Sequence, residues 1–250
     1  MKVVFHKTFH GVYTSDPAAE KGRLVPAQKL LSARYTFIEP APACEEDIAR
    51  VHTSAHIEAV RGHRKIHETA LLAAGATLEA GRLAMAGEPA FALVRPPGHH
   101  ASADSCWGFC FFNNVAVAVA ALLESGEAES ALILDIDLHF GDGTSNIFSA
   151  RPEAAYVHPE APQREQWLEE CLASLDDAGP CDVIAVSAGF DRHAEDWGST
   201  LTTEDYRTIG AWIRDAAQKR CKGRVFIVLE GGYNRDSLAE AAAALLDPLS

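Results

Sequence analysis

The stretch LILDIDLHFGDG, Leu132–Gly143, begins as an apolar run and then breaks into Asp135, Asp137, His139 and Asp142 within eight positions. Such a run, with few polar interruptions, reads as a strand covered on both faces of a parallel sheet. A polar loop capping a core strand would account for any one of these acidic residues. Asp137 and His139, two positions apart, leave the end of a strand on the same side, which opens a second reading. That reading is a divalent-metal site at a strand end, and the other strand ends decide between the two.

Working outward, further apolar runs predict strands over Lys2–Phe5, Ala90–Val94, Ala131–Asp137, Ala154–Val157, Asp182–Ser187 and Arg224–Leu229. Amphipathic stretches between them predict helices over 45–60, 65–86, 113–125, 163–177, 203–221 and 236–246, the fifth opened by the capping sequence Thr202-Thr203-Glu204-Asp205. The β-then-α alternation over 1–250, without linker or repeat, predicts one α/β domain: a mainly parallel, multi-stranded sheet with helices on both faces. Open sheets of this kind place ligands beyond the strand ends. Four of these ends are rich in chemistry: Arg95-Pro96-Pro97-Gly98-His99-His100, Leu138-His139-Phe140-Gly141-Asp142-Gly143, Gly189-Phe190-Asp191 and Gly231-Gly232-Tyr233. Asp191 is positioned to add a third ligand to Asp137 and His139, and two carboxylates with an imidazole suit a catalytic divalent ion. The tandem His99-His100 supplies proton transfer, Asp135 and Asp142 are the carboxylates available to orient those rings, and Tyr233 is a donor for a developing oxyanion.

Composition narrows the partners. A net charge of −13 disfavours nucleic acid and anionic membrane and tolerates a cationic ligand. No stretch approaches the roughly 20 apolar residues of a membrane span, and the N-terminus lacks a secretory core. The six cysteines form no CxxC pair, so reduced thiols in a cytoplasmic protein are expected. Cys110 reads as a small hydrophobe. His52, His56, His63 and His67, at roughly helical spacing, read as a solvated helix face or rim.

RPPGHHA (95–101), GFCFFNN (108–114), LDIDLHFGDGT (134–144), VSAGFD (186–191) and LEGGY (229–233) together resemble the histone deacetylase family in the broad sense, which includes bacterial acetylpolyamine amidohydrolases. The resemblance runs from near the N-terminus to Tyr233 and implies an arginase-deacetylase-like fold. It implies zinc, with iron(II) or cobalt(II) as alternatives, on Asp137, His139 and Asp191. By the same likeness His100 is the general base with Asp142, and His99 with Asp135 is the electrostatic or acid partner. Tyr233 polarises the acyl carbonyl, Gly108 accepts the substrate amide N–H, and Phe109 lines the tunnel. The implied reaction is hydrolysis of an N-acetyl amide to a free amine and acetate. A structural K+ or Na+ ion, held by backbone carbonyls near Asp135, Asp137 and His139, is implied as well.

The chain departs from the family pattern in places. Phe140 stands where a second His is common, and His158-Pro159 where a Ser is common. Tyr156–Pro180 and Ala59–Thr69 look abbreviated, and HPEAPQRE contains no aromatic to form the second tunnel wall. Trp167 sits too deep in a helix to replace it, so a wider, shorter-walled mouth is expected. Within this reading a small acetylated amine or polyamine is favoured over acetyl-lysine in protein. A catalytically silent binding module lacks a need for His100, Asp142 and Tyr233 together. A two-manganese ureohydrolase needs more paired carboxylates.

Overall fold

The computed structural model describes all residues, Met1–Ser250. Seven strands form one sheet: β1 (Lys2–Val4), β2 (Thr36–Ile38), β3 (Ala90–Ala92), β4 (Ala131–Asp135), β5 (Ala154–Val157), β6 (Val183–Ala188) and β7 (Val225–Leu229). The nine α-helices are α1 (Val25–Ser32), α2 (Glu45–Ala49), α3 (Ser54–Arg61), α4 (Arg64–Met85), α5 (Asn114–Ser125), α6 (Asp142–Phe148), α7 (Arg164–Asp177), α8 (Thr203–Cys221) and α9 (Arg235–Leu246). The strand order is β2-β1-β3-β7-β6-β4-β5, and every pair is parallel. Registers such as Leu134↔Val186 and Ser187↔Val228 bring β4, β6 and β7 to a common upper edge.

The central strands are buried along their whole length, as ALILD, VIAVSA and VFIVL require of a sheet covered on both sides. Helices α4 and α5 pack on each other and on the sheet, while α8, α9 and α1 form a second packed group. The long helices end as their sequences dictate: the Thr202–Asp205 capping box starts α8, Asn113 caps α5, and Gly126 closes α5 in the left-handed conformation. No helix is long and apolar enough to cross a membrane.

Some elements differ from expectation. The segment 45–60 is two helices, interrupted at Arg50–Thr53, and the Thr53 side chain caps the second by accepting from His56 N–H. β2 and α1 carry no strong periodic signal: β2 is a three-residue edge strand with an exposed Thr36, and α1 has Pro26 as its second residue, which its first turn tolerates. The solvated-face reading of His52 and His56 is wrong. Both are buried: His52 Nδ1 meets Ser102 O at 2.9 Å, His52 Nε2 accepts from Asn113 N–H at 2.9 Å, and His56 Nε2 meets Phe111 O at 2.7 Å. They brace the loop that carries GFCFFNN.

Candidate metal centre and pocket

The four loops singled out in the sequence follow β3, β7, β6 and β4, which are consecutive neighbours in the sheet. They therefore converge over its centre. One candidate ligand atom each from Asp137, His139 and Asp191 lies within 4.8 Å of the others. His139 Nδ1 stands 3.2 Å from Asp137 Oδ1 and 3.2 Å from Asp191 Oδ2.

The remaining carboxylate oxygens are fixed by backbone: Asp137 Oδ2 accepts from Gly231 N–H at 2.8 Å, and Asp191 Oδ1 from Leu138 N–H at 3.0 Å. Asp191 Oδ2 is buried and makes no hydrogen bond. A buried carboxylate oxygen left unpaired is costly, and a cation is the natural partner for it. The local chemistry has the same appetite: a hydrogen bond to Asp137 and the Asp191 carboxylate beside it raise His139 to about 10, whereas burial and the neighbouring Asp137 push Asp191 up to about 6. At Gly231 any Cβ would lie 2.6 Å from both Asp137 Oδ2 and Asp191 Oδ2, so the donor set needs glycine there. Two carboxylates and an imidazole fit zinc.

Two histidine–carboxylate pairs flank the ligands. His99 Nδ1 meets Asp135 Oδ2 at 3.0 Å, and the same oxygen accepts from Tyr156 O–H at 3.0 Å. Burial opposes a proton on His99, but Asp137 and Asp135 outweigh it and hold its pKa well above the usual histidine value. His100 Nδ1 meets Asp142 Oδ1 at 2.6 Å; burial and the adjacent His99 lower its pKa. Glu230, fully buried, accepts from Gly98 N–H at 2.6 Å and His99 N–H at 3.2 Å, and so anchors the tandem histidines to β7.

A cavity of about 130 Å³ opens above these groups, lined by His99, His100, Phe109, His139 and Tyr233 among others. Gly108 has φ +56°, and a Cβ there would collide with the His100 ring. Phe109 is itself held at φ 67°, an uncommon conformation for a bulky residue, as its side chain turns into the cavity. All ten site residues expected from sequence thus meet in one place.

The structure corrects the expected mouth. Trp197, in the loop after β6, lines the cavity, stacks on Tyr233 at 4.0 Å and meets Phe109 edge-on at 6.5 Å. An aromatic wall is therefore present, from a loop other than Tyr156–Pro180. Trp167 is fully buried below, its indole N–H donating to Pro159 O at 2.9 Å. Trp107 also acts at the site. Its ring lies on His100 at 4.0 Å and its Nε1–H donates to Asp142 Oδ2 at 2.9 Å. Trp197 has no periodic or motif signal, whereas Trp107 directly precedes GFCFFNN. Arg23, too, is visible only in three dimensions: it donates to Gly232 O at 2.7 Å and Glu230 O at 2.8 Å, holding the turn that presents Tyr233.

A parallel sheet whose central strand ends deliver an Asp/His/Asp set, two His–Asp pairs and a tyrosine defines a deacetylase-type site. The Histone deacetylase domain profile matches residues 19–167 and 160–249, and the chain belongs to the histone deacetylase family, hydrolases of amide bonds. Among its relatives are the "Histone deacetylase-like amidohydrolase" of Pseudomonas aeruginosa, 29% identical over 88% of this chain and 72% of the relative, and a "Probable deacetylase" of Archaeoglobus fulgidus, 30% identical over 89% and 74%. In fold it matches the crystal structure of the HDA15 HD domain with a TM-score of 0.85 at 24% identity, covering 100% of this chain and 90% of that one.

Proposed function

We propose that this chain is a zinc-dependent amidohydrolase that removes an acetyl group from an acetylated primary amine, with a small amine or polyamine as its preferred substrate. The observation that carries the proposal is the meeting of His99, His100, Phe109, His139, Trp197 and Tyr233 around one narrow cavity. Asp137, His139 and Asp191 would hold the zinc, which when bound would supply a Lewis acid for the acyl oxygen and for water; iron(II) and cobalt(II) suit the same donors.

The chain's own groups divide the remaining work. His100, its Nδ1 engaged by Asp142, has Nε2 free to take a proton from the attacking water, and its lowered pKa keeps it neutral for that task. His99, held protonated by Asp137 and Asp135 despite burial, places positive charge beside the developing oxyanion and is the acid partner for the departing amine. Burial raises the Tyr233 pKa, so its hydroxyl stays protonated and donates to the acyl oxygen. The Gly108 carbonyl accepts the substrate N–H, while Phe109 and Trp197 flank the stem that follows.

Two properties favour a small cationic amine: the aromatic faces of Trp107 and Trp197 at the rim, and the charge of −13. Acetyl-lysine in protein is the second reading, favoured by the family to which the profile belongs. A cytoplasmic setting, expected from the thiols, is part of the same proposal.

The test is a panel of N-acetylputrescine, N-acetylspermidine, acetyl-lysine peptides and longer acyl-lysines, assayed with zinc. Higher kcat/KM on the small amines is expected. A preference for peptides overturns the substrate assignment, and no hydrolysis of any member by zinc-loaded protein overturns the enzymatic one. Two metals bound per chain would favour the ureohydrolase reading instead.

A further inference from the structure

The structural K+ or Na+ implied by the resemblance requires carbonyl oxygens with free lone pairs. The residues present do not fit it. Asp137 O accepts from Arg192 Nε–H at 3.2 Å and Leu138 O accepts from Arg192 Nη2–H at 3.2 Å. Asp135 O lies 3.2 Å from His158 Nδ1, which must be the donor because a carbonyl oxygen only accepts. Two of the carbonyls assigned to the ion are thus covered by donors, one of them a permanent cation.

Arg192 is only 7% exposed, and its guanidinium carbon stands 4.9 Å over the ring of the fully buried Trp167. Its polar partners are carbonyl oxygens rather than a hydrogen-bonded carboxylate. Buried charge needs such compensation, and a tight turn whose carbonyls point together needs a positive partner. Guanidinium suits the place: it is planar, weakly hydrated, always charged, and able to donate from its edge while lying on an aromatic face. The Arg192 backbone is fixed as well, since its carbonyl accepts from Thr200 N–H at 3.0 Å and Leu201 N–H at 2.8 Å.

We infer that Arg192 replaces the monovalent structural cation, its guanidinium bracing from behind the 135–138 turn that presents Asp137 and leads into His139. Because Arg192 directly follows Asp191, one dipeptide provides a ligand carboxylate on one side and the supporting cation on the other. The fold is then indifferent to K+ and Na+.

Thermal unfolding of the zinc-loaded protein in KCl, NaCl and choline chloride, at matched ionic strength and without substrate, tests this separately from the proposed hydrolysis. Wild-type midpoints should agree within about 1 °C, whereas a cation site filled at a hundredfold its Kd would raise Tm by about 5–10 °C. A saturable, potassium-selective rise in the wild type overturns the inference. Arg192→Met keeps the apolar stem and removes the charge; it should melt lower in choline chloride and recover part of the loss in KCl but not in choline. An Arg192→Met protein that melts like the wild type in choline chloride also overturns it. If that variant does not fold, Arg192→Lys, which keeps the charge, should fold and remain indifferent to the salt, and a potassium requirement in it counts against the inference.

Discussion

Two histidine–carboxylate pairs stand side by side in this site, built from the same side chains and joined through the same Nδ1 atom. Their ring centroids are 4.1 Å apart, yet their surroundings differ. The Asp135 side chain is 0% exposed and shared with Tyr156 and the backbone of Asp137; the Asp142 side chain is 37% exposed and shared with Trp107. Both imidazoles are buried, but His99 stands between Asp137 and Asp135, which keep a proton on it, whereas burial and the charge of His99 lower the pKa of His100. Environment, not residue type, separates the proton affinities of the two histidines, and on the proposed mechanism it separates acid from base.

The contrast is most sharply tested at the mouth. His100→Ala should lower kcat by about 10²–10⁴-fold while zinc content stays at one per chain; undiminished turnover would remove His100 as the base. Next, Asp142→Asn should slow turnover with little change in melting temperature. Asp135→Asn, by leaving buried donors mispaired, should also cost about 1–3 kcal/mol of stability, or roughly 2–4 °C per kcal/mol. Equal melting losses in the two variants would erase the distinction between core and mouth. Trp107→Phe keeps a ring over His100 but loses the indole N–H to Asp142, so a fall of a few-fold in kcat with KM nearly unchanged is expected, and full activity would leave Trp107 a bystander.

An effect confined to acid pH, and absent at neutrality, concerns His52, which braces the loop beneath both pairs. Burial lowers its pKa from 6.5 to about 4, so between those values the unfolded chain binds the proton and the folded one does not. Stability from this residue is therefore present above pH 6.5 and lost as pH falls towards 4, by up to about 3 kcal/mol. His52→Gln should flatten the fall in stability over that window relative to the wild type. An unchanged slope would place the acid sensitivity elsewhere.

The central strands were legible because burial on both faces demands unbroken apolar runs, and the candidate ligands because Asp137 and His139 follow one such run at spacing two. The edge strand Thr36–Ile38 was not legible, since three residues with an exposed threonine carry no such demand. Trp197 was hidden for a different reason. Its place beside Tyr233 depends on Asp196, whose Oδ2 accepts from both Tyr233 N–H and Asn234 N–H at 2.7 Å across the fold. His52 was misread because helical spacing alone does not tell which side of a helix another loop will cover.

The last strand of the chain, β7, lies between β3 and β6, in the middle of the sheet. Until it inserts, the halves β2-β1-β3 and β6-β4-β5 share no strand pairing, and Asp137 lacks the Gly231 N–H that fixes its second oxygen. On the proposed metal site, acquisition of the ion would thus be tied to the closing event of assembly. During biosynthesis a growing chain has made Asp137, His139 and Asp191 well before it can hold them in place. In refolding experiments zinc capture should keep pace with the slowest phase, in which non-local parallel pairing is completed.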